Sequence, residues 1–409
     1  MNSRPNKSHK EENDDSFHKS IAFALILGQC FGLMPVYGIA GPNERSLHFT
    51  WKSWRVLYCF LTLIGTFFAL IMCIHEIFWD KANIFEITAV IFFGSSFLVH
   101  ILFLQLALIW PNLMRSWYVV EISMRNYGWP PKLNRRLKIM TSVILTTAAV
   151  EHILVVISNL LRSERCRNDN QDIMNFFFVI LSYPQVFAVL EYYLWAGILM
   201  QIVNLIGTFS WTYIDLFIML ISTSLSLRFQ QITQRVERYV ETKVADEVLW
   251  RALREDYNKL SKLCKKVNEA LSSIVLVSFG NNLFFILVQF FNSLRKRDDT
   301  LEKVYFFFSF GFLIGRTVCV SLYGAWIHDE SQKPLPILNN VSSTVYNTEI
   351  RRFILHVCFD SVSLTGKRFF SITRGLILSI AGTIVTYELV LIQFYGYMLE
   401  DPNSKNATC

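Results

Sequence analysis

The sequence predicts an all-α integral membrane protein with seven transmembrane helices, and three observations predict it: composition, the length of the apolar runs, and the placement of basic residues. Of 409 residues, 53% are hydrophobic, 15% aromatic and only 17% charged, too little charge to cover a soluble surface. A hydrocarbon core of about 30 Å takes roughly 20 apolar residues per helix. Runs of that length lie at 56–74, 87–110, 139–161, 192–227, 270–291, 304–327 and 375–399, the first without a charged residue.

Lys and Arg are retained on the cytoplasmic side of a membrane, so their placement sets orientation and count. With seven spans and a cytoplasmic N-terminus, the inner segments 1–52, 111–138, 228–269 and 328–370 carry six, six, ten and five of them, and the outer segments about nine in total. The C-terminus is then extracellular. The stretch 173–227 is long enough for two spans, interrupted at Ser182-Tyr183-Pro184 and at Glu191. Splitting it would move the ten-charge segment outside, so 173–190 reads as an outer stretch packed on protein or lying at the interface. The net charge of +7 sits mostly on inner segments and reports topology rather than nucleic-acid binding.

Residues 1–20 are polar and charged and read as a disordered cytoplasmic tail. The apolar run 21–40 reads as an interfacial or half-buried helix rather than a cleaved signal peptide, because both charge signs precede it and Gly28, Gln29, Gly32 and Pro35 interrupt it. Of eight cysteines, only Cys166 and Cys409 fall on the oxidising side, where a bridge is open to them although the spacing does not call for one. Outside as well, Asn406-Ala407-Thr408 is a sequon for N-glycosylation; the inner Asn340-Val341-Ser342 should stay bare. Between the fourth and fifth spans, Ile232, Val236, Val240, Val244, Val248, Leu253, Tyr257, Leu260 and Leu263 recur at mostly three to five residues among charges, the pattern of amphipathic helices extending both spans into the cytoplasm across 228–269. A second such element lies within 345–374, around Ile350, Phe353, Ile354 and Val357. Together they can pack as a cytoplasmic helical domain.

No Walker loop, HExxH, CxxC pair or GxSxG elbow occurs, so no enzyme, metal or cofactor is expected. Ionisable groups inside spans are costly unless paired or wetted; they are His100, Glu151 with His152, Asp215, Arg316 and Glu388. Arg316 and Glu388 fall near the middle of the antiparallel sixth and seventh spans, which suggests a buried ion pair, against separate carbonyl or water partners. On the last span at 100° per residue, Ser379, Thr383, Thr386, Gln393 and Tyr397 fall within about 80°, with Val390 among them and Phe394 at the edge. Such a stripe either hydrogen-bonds neighbouring helices or lines a water-filled path. The outer halves of spans three to five gather groups suited to a neutral polar ligand: Glu151, His152 and Asn159; Tyr192, Tyr193 and Trp195; Asn281, Asn282 and Gln289. Carboxylates and amides can satisfy ligand hydroxyls, and aromatic faces cover the C–H face of a sugar ring. The same residue types equally serve to join helices or anchor them at the interface.

Thr386-Tyr387-Glu388-Leu389-Val390-Leu391-Ile392-Gln393-Phe394 resembles the TYhhhhhQF signature of insect gustatory receptors, at the expected place in the last span. The run from Phe369-Phe370-Ser371-Ile372-Thr373-Arg374, the segment Gly28-Gln29-Cys30-Phe31-Gly32-Leu33-Met34-Pro35-Val36-Tyr37-Gly38-Ile39, and Phe49-Thr50-Trp51-Lys52-Ser53 resemble its sugar-receptor branch. The resemblance implies a seven-helix subunit over residues 21–399 with an inner N-terminus and a short extracellular tail at 400–409. It implies assembly as a homotetramer, or a heterotetramer with related subunits, forming a ligand-gated cation channel in the plasma membrane of sensory neurons, with membrane lipid around it. By the same resemblance the seventh helices (375–399) line the pore, Gln393 and Phe394 match its constriction, the cytoplasmic helices form an anchor domain, and a sugar binds in the outward-facing half of each bundle. A G-protein-coupled receptor would need an outer N-terminus, and DRY and NPxxY motifs are absent. A sugar transporter would use the buried ionisable residues for coupling ions, but no internal repeat is present.

Overall fold

The six apolar runs between residues 56 and 327 each become one long helix, and the computed structural model, which describes residues 16–79, 84–167, 172–293 and 299–398, carries them well past the expected span ends. A short helix α1 (Phe17–Cys30) precedes α2 (Trp54–Trp79), α3 (Ile84–Ser123), α4 (Leu133–Cys166), α5 (Leu194–Glu241), α6 (Glu247–Ser293) and α7 (Thr300–Gln332); α8 (Thr348–Phe359) and α9 (Arg374–Met398) follow. Among the described residues, α2 to α7 are long and apolar enough to cross a membrane, and α9 adds an apolar helix of 25 residues. The stretch 173–190 holds only short helical turns, with a π-helical segment at Phe176–Ser182. Phe177, Phe178, Tyr183 and Val186 bury themselves there against α2, α3 and α5, and the Phe178 ring sits where a side chain on Gly197 would stand. These four side chains pack on protein, one of the two readings open to that stretch, while Met174, Ile180, Val189 and Leu190 stay exposed.

With 48 and 47 residues, α5 and α6 are each roughly 70 Å long, more than twice the hydrocarbon thickness. Their surplus forms a domain at one end of the bundle, called the lower end, where α8 packs on α6. Trp250, Leu253, Tyr257, Leu260 and Leu263 are buried there with Ile232, Val236, Ile350, Phe353 and Val357, the face that the three-to-five spacing marks out; Val248 alone of the pattern is largely exposed. Burying an apolar side chain away from water contributes about 1.5–3 kcal/mol, a term that holds this domain but is missing between helices in lipid, where packing and polar pairs take over.

Two expectations are corrected here. Residues 16–20 are not tail: Phe17 opens α1 and stacks on Trp117 at 3.8 Å, while its N–H donates to Glu121 Oε1 at 3.2 Å. The segment 21–40 is half-buried, and against protein: Ile21, Leu33, Met34 and Val36 are wholly buried while Phe23 and Ile26 stay exposed, because α1 seats between α4 and α5. Gly28 makes this approach possible, since a Cβ there would lie 2.7 Å from the Tyr213 ring, whose hydroxyl donates to Ala24 O at 3.1 Å. Finally, 345–374 is helical only in α8; two short antiparallel strands, β1 (Thr365–Gly366) and β2 (Phe370–Ser371), precede α9. Lys367 and Arg368, with φ of 49° and 64°, turn the chain, and Asn268 Oδ1 on α6 accepts from the Thr365 backbone at 2.7 Å. Arg374, the first residue of α9, then donates to Asp329 of α7 at 2.6 Å. Cys166 is disulfide-bonded and the six other described cysteines are free; Cys409, Asn406 and residues 399–409 lie outside the described residues.

Glu349 ties α8 to α6 at the lower end. Arg254 donates to its Oε2 at 2.8 Å and Arg352 to its Oε1 at 2.6 Å. The Arg254 bond chiefly, then Arg352, outweighs burial and holds the Glu349 carboxyl below its ordinary value. A depressed folded-state value contributes stability in full above the ordinary pKa and loses it as pH falls through the folded one. In thermal melts, Glu349→Gln should therefore fall short of the parent most at neutral pH, and the gap should close on acidification below 4.5, the ordinary value of a glutamate.

Candidate ligand cavity and the last helix

Helices α3 to α7 enclose a cavity of about 520 Å³ at the upper end, opposite the lower domain. It meets a second of about 200 Å³ that reaches down to Arg316, and Thr88, Glu151, Thr208, Trp211, Phe285 and Tyr305 line both. Each wall is one helical stripe. Asn204, Thr208 and Trp211 recur at four and three residues along α5; Phe285, Gln289 and Asn292 along α6; Tyr305, Ser309, Phe312 and Arg316 along α7. Those spacings place each set on one face. α4 adds Glu151, His152 and Val155, and Glu76 and Glu86 add carboxylates from the ends of α2 and α3. Glu151 Oε1 accepts from Ser309 Oγ at 2.6 Å, which fixes the carboxylate across the cavity. His152 Nε2 lies 3.5 Å from Gln201 Nε2, and Gln201 Oε1 accepts from the Tyr183 hydroxyl at 2.7 Å.

The floor is a buried polar cluster joining three helices. Arg316 Nε on α7 lies 2.9 Å from Asp215 Oδ2 on α5, without the alignment of a hydrogen bond. Its Nη1 donates to Thr212 at 2.7 Å and its Nη2 reaches Asn282 Oδ1 at 3.5 Å. Asn282 and Ser278 of α6 both donate to Asp215, and Trp211 Nε1 donates to Asn282 at 3.2 Å. The guanidinium also stacks over the Trp211 ring, 4.6 Å from its centroid. Every carboxylate oxygen of Asp215 has a partner, which is what makes two charges tolerable in hydrocarbon. The arrangement offers a bound molecule a carboxylate, hydroxyls and amides on several sides and aromatic faces from Trp211, Phe92, Phe285 and Tyr305, with no catalytic grouping among them. Below, Phe285, Ile286 and Leu313 form an apolar layer on which Ile384 of α9 packs, so one layer of side chains separates cavity from last helix.

On α9, Leu376, Ile380 and Ile384 pack inward, and the polar stripe faces away from the subunit. Ser379, Thr386 and Gln393 are exposed, Val390 is 41% exposed and Thr383 half-buried. Ser379, Thr383 and Thr386 each donate to the carbonyl four residues back, at 3.2, 2.9 and 2.9 Å. The stripe therefore does not join α9 to its own subunit's helices. The side chains of Glu388, Phe394 and Tyr397 lie outside the described residues.

The family model described as trehalose receptor matches residues 1–404. The chain belongs to the trehalose receptor family. Drosophila melanogaster relatives of this trehalose receptor family member include gustatory receptor for sugar taste 64f, 35% identical over 96% of this chain and 85% of that one. Gustatory receptor 5a for trehalose is also 35% identical, over 94% and 86%. Among solved structures, the insect olfactory receptor OR5 from Machilis hrabei in complex with eugenol superposes with a TM-score of 0.70 over 92% of this chain and 98% of that one, at 13% identity. At that identity the likeness is one of fold.

In this trehalose receptor family member, the residues singled out from sequence divide in two. Glu151, His152 and Gln289 line the cavities and Asn282 forms the floor. Asn159 and Asn281 do not line them, although Asn281 is buried. Tyr192 packs with Phe178 and Phe187 behind the wall. Tyr193 and Trp195 stack on each other and are 52% and 67% exposed, turned outward because they begin α5 on its outer side. Arg316 pairs with Asp215: α7 lies along α5, which puts Asp215 and the α6 amides around the guanidinium, while the side chain of Glu388, its expected partner, lies outside the described residues. Trp211, Thr208, Asn204, Tyr305 and Ser309 were missed, yet the same 100° plot that reveals the α9 stripe, applied to α5 and α7, brings them onto common faces.

Proposed function

We propose that the chain is a subunit of a sugar-gated cation channel. The observation that carries this reading is the cavity, which pairs the Glu151 carboxylate and neighbouring hydroxyls and amides with the faces of Trp211, Phe285 and Tyr305. A sugar presents hydroxyls around a C–H face, and this is the complementary surface. Family membership and the relatives' names for sugar and trehalose support the ligand class. In this reading the N-terminus is cytoplasmic and the C-terminus extracellular, with seven spans, α9 being the last. The cavity opens outward, and four subunits, alike or related, surround a pore lined by Ser379, Thr383, Thr386 and Val390, with Gln393 and Phe394 at its constriction in the plasma membrane of a sensory neuron. The Asn406 sequon lies outside. Sugar opens the pore by binding the open state more tightly; a tenfold preference supplies about 1.4 kcal/mol per site, so occupancy of several subunits adds up. Selectivity follows from hydroxyl pairing, because a ligand lacking one partner leaves a buried group unsatisfied.

The test is whole-cell current from cells expressing the chain, alone and with related subunits, under a panel of mono- and disaccharides with G-protein signalling blocked. A prompt sugar-evoked cation current is the expected result. A response that disappears with the G-protein block, or sugar uptake without current, overturns the reading. Within it, Trp195→Ala is expected to leave the half-maximal sugar concentration unchanged, since that ring faces away from the cavity; a shift of tenfold would place the site elsewhere.

A further inference from the structure

Behind the polar stripe, α6, α7 and α9 leave a crevice of about 210 Å³. Its walls are Ile286 of α6, Ile314, Thr317 and Ser321 of α7, and Ile380 and Ala381 of α9, among other apolar side chains. We propose that this crevice binds one acyl chain of a membrane lipid. Chemistry disfavours a polar occupant. The two hydroxyls in the wall are already used on their own helix, Thr317 donating to Leu313 O and Ser321 to Thr317 O, both at 2.8 Å. A water or sugar hydroxyl in the crevice would find no donor there, only the lone pairs of those two hydroxyls among otherwise apolar walls, and would lose most of its hydrogen bonds. Size admits hydrocarbon, since an apolar cavity of about 150 Å³ stays dry yet takes up a benzene molecule. Position selects the lipid. Val318, Leu378 and Val385, on the same two helices, are exposed and apolar, so in a membrane-spanning bundle the crevice communicates with hydrocarbon, where acyl chains are by far the most concentrated apolar solute. An acyl chain seated there holds α9 at a fixed distance from α7, from behind the face that carries the stripe. The inference requires only that α7 and α9 lie in a membrane and stands apart from the sugar-gating reading.

The experiment uses the full chain reconstituted in phosphatidylcholine nanodiscs doped with a phosphatidylcholine bearing a diazirine in its tail. After irradiation, mass spectrometry of peptides locates the adducts. Adducts are expected on residues 314–321 and 377–385, and either Ala381→Trp or Ser321→Phe, filling the crevice from opposite sides, should abolish them while adducts on the exposed α2 residues Leu57, Leu61 and Ile64 persist. Persistence of the α2 adducts shows that a variant still resides folded in the bilayer. Adducts confined to α2, or crevice adducts indifferent to both substitutions, overturn the proposal. So does efficient disulfide formation between Val318→Cys of one subunit and Val385→Cys of another, which would show that a second copy fills the space.

Discussion

Arg316→Ala is expected to remove most of the protein from the cell surface, and so is Asp215→Ala. Each leaves the other charge uncompensated in a buried site between α5, α6 and α7. Breaking a buried pair by removing one partner typically costs about 3–5 kcal/mol, a large part of a total stability of roughly 5–15 kcal/mol. Replacing both together, as Asp215→Leu with Arg316→Met, removes the uncompensated charge and should recover much of the surface protein, because apolar pairs of similar volume often match a buried ion pair. Recovery should be incomplete, since Ser278, Asn282 and Thr212 each lose a partner. Surface biotinylation and thermal melts of the solubilised protein read the result. Single variants that reach the surface and melt like the parent would show that the floor is not held by this pair.

Glu151→Gln is expected to weaken sugar activation with little change in surface level. The amide oxygen can still accept from Ser309, so the fold keeps its bond, while a sugar hydroxyl exchanges a charged acceptor for a neutral one. Hydrogen bonds to charged groups are worth about 1.5–3 kcal/mol and neutral ones about 0.5–1.5 kcal/mol, and the difference of about 1–1.5 kcal/mol corresponds to a rightward shift of the dose–response curve of roughly five- to tenfold. Maximal current at saturating sugar should be largely retained. An unchanged half-maximal concentration would exclude Glu151 from the binding contacts.

Features carried by local pattern were readable from the sequence. The runs 56–74 and 87–110 lie inside α2 and α3, and the spacing of Leu253, Tyr257 and Leu260 matches their burial in the lower domain. What needed the fold was adjacency. Arg316 had carboxylates at similar depth on more than one helix, and nothing local says that α7 lies along α5. Tyr193 and Trp195 have the composition of a sugar site, but helix phase turns them outward. Trp211 looked like any aromatic in an apolar run until Asn204 and Thr208 placed it on a polar face. Phe17 sits among charged neighbours, and only Trp117, one hundred positions on, explains its burial.

The central claim, that sugar opens a pore lined by the α9 stripe, is tested most directly by cysteine accessibility in the purified chain reconstituted in planar bilayers without other proteins. The account predicts that a sugar elicits single-channel openings and that Thr386→Cys is rapidly blocked by a charged methanethiosulfonate reagent when sugar is present, slowly when it is absent. Ile380→Cys, on the inward face, should resist the reagent in both conditions. Sugar-evoked openings that leave Thr386→Cys unmodified would contradict it.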